Sequence, residues 1–118
     1  MVSLTRSVKL FGREGGNKSP ITVVGERLKG CVIGTPVASA QVKSAILLAG
    51  LGAGGITKVT EKYLSRNHTE IMMKKMGVDI KVNNKTTSIK QLKNKLDPIE
   101  INIPGDPSTA AFFAAGSL

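Results

Sequence analysis

The sequence predicts an α/β or α+β chain with a mixed sheet. Short β-branched runs alternate with apolar helical stretches along most of the 118 residues. Hydrophobic residues make up 41%, enough to build a packed core. In two places a strand also leads through a proline and a serine (Ser39, Ser108) into an alanine-rich apolar helix, a faint internal echo one supersecondary unit apart.

Taken in order, Ser3 to Pro20 contains "FGREGGNKSP", glycine-rich and polar, and reads as a loop or hairpin. "ITVVGE" and "GCVIG", separated by "RLKG", read as two short strands. A helix follows from about Ser39 to Leu51, with its polar groups in the first turn and a half and apolar residues through the rest. "GITKVTE" is a further strand. Asn67 precedes Glu70 by three residues, the spacing of a capping box. Ile71, Met72 and Met76 supply an apolar helix face, and Gly77 a stop. Val78, Ile80 and Val82 alternate as a strand closed by an Asn83-Asn84-Lys85 turn. "TSIKQL" and "IEINI" read as two more strands. Asp106 and Pro107 suit the N-cap and first position of a last apolar helix. Residues 1–118 are therefore expected to form one partial domain: an irregular start at 1–19, one unit at 20–104, and the first helix of a following unit at 105–118. Ending on an uncovered apolar helix suggests a fragment.

Composition narrows the function. The net charge of +9 invites a nucleic-acid reading. The lysines of "MKKMG", "IKVNNK" and "IKQLKNK" are spread over polar faces and turns, however, and aromatics are only 3%, too few for stacking platforms. A solvated basic surface, or a positive field that concentrates small anions, fits better. No apolar run is long enough to span a bilayer, and no secretory leader is read after Met1. One cysteine, Cys31, suits a reducing cytosol and reads as a small core residue of a strand. The expected location is cytoplasmic. His68 has no second ligand at metal spacing, so no metal is expected. The eight acidic residues form no evident acid/base pair.

Gly50, Gly52 and Gly55 match G-x-G-x-x-G, but they close a helix and enter a strand, the reverse of a dinucleotide fingerprint. The helix start is the better candidate. Ser39 can cap it, and free N–H groups with partial positive charge would receive a phosphate or carboxylate. Gln41 adds an amide. Lys43 opposes the helix dipole there, which makes sense beside a bound anion; an exposed lysine without a role is the other reading. Ser65 and Arg66 also precede a helix, and the arginine is either a bidentate anion ligand or an exposed loop residue.

"PVASAQVKSAILLAGL", then "GITKVTEKYLSRNHTEIMMKKMG", then "INIPGDPSTAAFFAAGSL" resemble, in order and spacing, the middle of 5-enolpyruvylshikimate-3-phosphate synthases, from about Pro20 to Leu118. The related UDP-N-acetylglucosamine enolpyruvyl transferases lack the "SAQVKSA" and "SRNHTE" blocks. The resemblance implies part of a two-lobed fold built from βαβαββ units with mixed sheets and buried helices. It implies transfer of enolpyruvyl from phosphoenolpyruvate to the 5-hydroxyl of shikimate 3-phosphate, with release of phosphate and without a cofactor. By position, Ser39 and Ala40 would meet the shikimate phosphate, Gln41 both substrates, and Ser65 and Arg66 the 3-phosphate. Arg6 in "SLTRS" corresponds to an arginine on phosphoenolpyruvate, although Ser7 follows it where the family has proline. The family's Lys-Ser pair and its second-lobe acid/base groups have no counterpart here. The chain is therefore expected to bind substrate and to turn over little or not at all without a complementary fragment. The alternative is a small basic module that binds nucleic acid or anions without catalysis.

Overall fold

The computed structural model describes residues 8–117. Arg6, one of the candidate site residues, lies outside them. Strand β1 (Val8–Gly12) pairs antiparallel with β2 (Lys18–Gly25) across α1 (Arg13–Gly16), a single turn in which Glu14 and Gly15 leave helical geometry. The glycine-rich start is thus a hairpin, as one of the two readings had it. It forms its own two-stranded sheet, and β2 is exposed throughout.

From Val32 to Lys90 the order is β-α-β-α-β-β, the unit that the resemblance implies. Strand β3 (Val32–Thr35) leads into α2 (Ala40–Gly52), β4 (Ile56–Glu61), α3 (His68–Lys75), β5 (Ile80–Asn83) and β6 (Thr86–Lys90). The sheet order is β3-β4-β6-β5, with β3 parallel to β4 and the other pairings antiparallel. Alternation along β4 buries Thr57, Val59 and Glu61 and exposes Ile56, Lys58 and Thr60, so this sheet is covered on one face. Helix α2 packs over β4 and β6, and α3 against β5. The core between them holds Ile46, Leu47, Val59, Met73, Val78 and Ile89.

Gly50 lets α2 settle onto the sheet, since a Cβ there would come within 2.8 Å of Ile89 Cγ2 and 3.1 Å of Thr57 Cβ. The G-x-G-x-x-G match is a helix end and a turn, as expected. Gly77 ends α3 at φ 79°, with the Gly77 N–H donating to Lys74 O and the Val78 N–H to Met73 O.

Several expectations change. Helix α2 is buried along one stripe only, and Val42 and Leu48 on its other side are exposed. In α3 the inward face is Glu70 and Met73, while Ile71 and Met72 face outward. The capping box does not form, because Asn67 makes no side-chain cap bond and Glu70 turns into the core. Cys31 is half-buried just before β3, and its carbonyl accepts from Lys58 N. "IEINI" is not a strand: residues 99–103 find no pairing partner among the described residues, and Ile101 and Ile103 are exposed. Helix α4 (Pro107–Gly116) forms as expected, but the two halves of the internal echo differ. Ser39 caps α2, whereas Asp106 caps α4 and Ser108 lies inside it. No residue of α4 is buried, and Phe112 and Phe113 stand 79% and 78% exposed.

Candidate functional site

Two parallel strands carry the candidate site. Thr35 and Glu61, the last residues of β3 and β4, are register partners, so segments 36–39 and 62–67 leave the sheet at the same edge. The carboxyl edge of neighbouring parallel strands is where open α/β sheets receive ligands. Each segment runs into a helix, and the two helix starts are joined. Ser44 Oγ and Thr69 Oγ1 lie 2.6 Å apart, and Lys43 Nζ reaches Glu70 Oε1 at 2.7 Å.

At the first of these helix starts, Ser39 has extended backbone geometry, and its Oγ accepts from Val42 N at 3.3 Å. The Ala40 and Gln41 amides precede the first helical hydrogen bond, made by Lys43 N to Ser39 O, and have no intrahelical acceptor. Ser39 Oγ also donates to Gln41 Oε1 at 3.3 Å, which holds the amide over the helix start. Gln41 is exposed, and Ser39 and Ala40 are half-exposed.

At the second, Ser65 is half-buried, and its hydroxyl donates to Glu61 Oε1. Arg66 is exposed and makes no ion pair among the described residues. The structure therefore presents Ser39, Ala40, Gln41 and Arg66 at one edge of the sheet. Ser65 lies between that edge and the interior.

Lys43 departs from both readings of its role. It is 2% exposed, with Nζ 3.0 Å from Glu61 Oε2 and 2.7 Å from Glu70 Oε1. Neither a bound anion nor solvent balances its charge; two buried glutamates, each 4% exposed, do. Burial pushes the Lys43 ammonium down, but the hydrogen bonds and charges of Glu70 and Glu61 outweigh this and leave its pKa above the ordinary 10.5. Burial likewise pushes the Glu61 carboxyl up, but the Ser65 hydroxyl and the Lys43 ammonium bring it below the ordinary 4.5. Glu70 Oε2 is buried without a hydrogen-bond partner among the described residues.

The sequence reading missed this cluster, although a signal was there. Lys43 shares the helical stripe of Ile46, Leu47 and Gly50, Glu61 shares the strand parity of Thr57 and Val59, and Glu70 sits three before Met73. Three charges at inward positions imply mutual pairing.

Clefts lie elsewhere, one lined by residues such as Gly55, Asp79, Gln91 and Asp97, another by Lys58, Leu64, Lys81 and Lys85, and a smaller one by Ile56, Asp79, Ser88 and Lys90. None of these includes Ser39, Gln41, Ser65 or Arg66. The candidate site is an open edge. Among the described residues no group of His, Cys, Asp or Glu is arranged to hold a metal, and no helix is long and apolar enough to cross a membrane.

The comparisons with known proteins converge. A 3-phosphoshikimate 1-carboxyvinyltransferase of Geotalea daltonii is 50% identical over 109 residues, covering 92% of this chain and 25% of that protein. One of Helicobacter pylori is 46% identical over 106 residues, covering 90% and 25%. A solved EPSP synthase from Acinetobacter baumannii superposes with TM-score 0.75 at 41% identity, covering 92% of this chain and 24% of that one. The chain thus spans about a quarter of the length of these relatives. The family model described as EPSP synthase (3-phosphoshikimate 1-carboxyvinyltransferase) matches residues 5–118, further upstream than the resemblance read from Pro20. With its βαβαββ order and nearly its whole length matched, the chain belongs to the EPSP synthase family.

Proposed function

We propose that this chain supplies part of the shikimate 3-phosphate site of an enolpyruvyl transferase. In that reaction the enolpyruvyl group of phosphoenolpyruvate passes to the 5-hydroxyl of shikimate 3-phosphate, and phosphate is released. The observation that carries the reading is the convergence of two helix starts at one sheet edge, one bearing the Ala40 and Gln41 amides and the other preceded by Arg66, an exposed residue with no ion pair among the described residues. A phosphate monoester is an acceptor of hydrogen bonds. Helix-start amides and a planar guanidinium are the donors that suit it. Ser39 and Gln41 add a hydroxyl and an amide for the rest of the substrate. Arg6 remains a proposed contact to phosphoenolpyruvate. The cytoplasm is the proposed location.

The role proposed is binding. Glu61 and Glu70 are buried against Lys43, so neither is a free carboxylate for proton transfer at this edge. Amide NMR titration with shikimate 3-phosphate tests the reading. The expected result is saturable shifts confined to Ser39, Gln41, Arg66 and their neighbours at millimolar ligand or below. Unmoved amides there would overturn it. Binding to nucleic acid that weakens steeply with salt, without those shifts, would point to a basic binding module instead.

A further inference from the structure

Ser65 has one hydroxyl proton, and it is spent inward. The acceptor is Glu61 Oε1, while Glu61 Oε2 is held by Lys43 at 3.0 Å and Lys43 is held in turn by Glu70 at 2.7 Å. Both oxygens of Glu61 are therefore fixed, and the residue cannot rotate without breaking a charged bond. A phosphate dianion offers only acceptors. Ser65 in this arrangement has no proton to give it. The next residue, Arg66, is exposed and unpaired among the described residues, and it carries five donors in a planar fork whose aim decides its strength.

The cluster is also an odd choice for stability alone. A buried ion triad stabilises no better than apolar residues of similar volume, because desolvation offsets the attraction. Here the three charges tie the end of β4, the first turn of α2 and the first turn of α3 to the segment that bears Arg66. Tethering a six-residue connection near its fourth residue removes conformational freedom that a ligand would otherwise have to remove.

We propose that Glu61, locked by Lys43 and Glu70, is a positioning residue that holds Ser65 and so aims Arg66 at the bound phosphate; Ser65 acts through Arg66 and does not donate to the ligand. The inference rests on the shikimate 3-phosphate reading above. It adds Lys43, Glu61 and Glu70 to the residues that serve the site.

The test is a set of mutant cycles read by calorimetry on the whole chain, with folded fractions taken from urea unfolding. Glu61→Met and Ser65→Ala are made alone and on an Arg66→Ala background, and each is titrated with shikimate 3-phosphate and with unphosphorylated shikimate. Each variant alone is expected to weaken shikimate 3-phosphate about tenfold, and to add nothing once Arg66 is gone. Shikimate affinity, which has no phosphate to aim at, is expected to stay unchanged throughout. Ser65→Ala leaves the ion pairs in place, so its arm reads the tether even if Glu61→Met does not fold. Losses that multiply with Arg66→Ala, unchanged affinity in Ser65→Ala, or an equal loss for shikimate would each overturn the inference. If the unaltered chain binds no shikimate 3-phosphate, the proposed function fails and this inference with it. If it binds and the cycles are additive, the inference alone fails.

Discussion

Replacing Lys43 by methionine is the most informative single perturbation of this chain. The side chain loses its charge and one atom of its length, so most of the volume it fills in the core is kept. Two buried carboxylates then face each other with no cation between them. At an effective dielectric of about 20, a pair at 3.0 Å is worth about 5–6 kcal/mol of gross attraction, and the contact at 2.7 Å slightly more. Desolvation and the mutual repulsion of Glu61 and Glu70 offset most of that. The net effect of removing one partner from such a cluster is about 3–5 kcal/mol of lost stability. Since small domains hold only about 5–15 kcal/mol in total, the variant should sit near the edge of unfolding. Urea denaturation followed by circular dichroism measures this at pH 7. The loss should shrink on acidification, because protonation of Glu61 removes one of the stranded charges. The triple variant Lys43→Met, Glu61→Leu, Glu70→Leu should recover most of the stability, because it removes all three charges together. A Lys43→Met protein within about 1 kcal/mol of the parent at pH 7, with no pH dependence in the difference, would refute the claim that this lysine is the charge centre of the core.

Four more outcomes follow from the same geometry. The stability that Lys43 contributes is present below 10.5 and lost as pH rises through its raised folded value; that of Glu61 is present above 4.5 and lost as pH falls through its lowered one. Urea midpoints should therefore be flat between those limits and fall on both sides. Gly50→Ala should lower the midpoint, although alanine gains about 1 kcal/mol of helix propensity, because overpacking against fully buried Ile89 costs about 1–3 kcal/mol. Arg66→Ala should weaken shikimate 3-phosphate about tenfold or more in calorimetry and leave the urea midpoint unchanged, since the side chain is exposed and unpaired among the described residues. Asp106→Ala should reduce helical circular dichroism, because Asp106 accepts from Ser108 N at 3.0 Å and from Thr109 Oγ1 at 2.6 Å to start α4. Its carboxyl lies below the ordinary 3.8, held there by the Thr109 hydroxyl and the Ser108 amide, so the parent should show the same loss as pH falls through that lowered value.

The local chemistry of the chain was open to reading in one dimension. A serine before an alanine-rich run gives α2 its N-cap, alternation gives β4 its inward face, Gly77 at positive φ stops α3, and Asp106 with Pro107 starts α4. These follow from steric and hydrogen-bonding rules that span a few residues, and the sequence carries them whole. The same rules mark Ser39, Gln41 and Arg66 as groups at helix starts. What they cannot supply is partnership across the chain. "IEINI" has the composition of a strand but finds no pairing partner among the described residues, and a strand is completed by another segment's hydrogen bonds. Asn67 and Glu70 have capping-box spacing, yet a buried lysine 27 positions upstream competes for the glutamate and wins, since a charge-assisted bond in a dry interior outweighs a solvent-exposed cap. Lys43 is the sharpest case. By itself it reads as a surface charge or an anion ligand; only the parallel pairing of β3 with β4 and the docking of α3 bring Glu61 and Glu70 to it and turn it into a buried link between α2, β4 and α3. The caps of α2 and α4 and the face parity of β4 depend on near neighbours, and so the sequence determined them. The sign and surroundings of a buried charge depend on which distant residues the fold brings within 3 Å, and only the tertiary structure decided that.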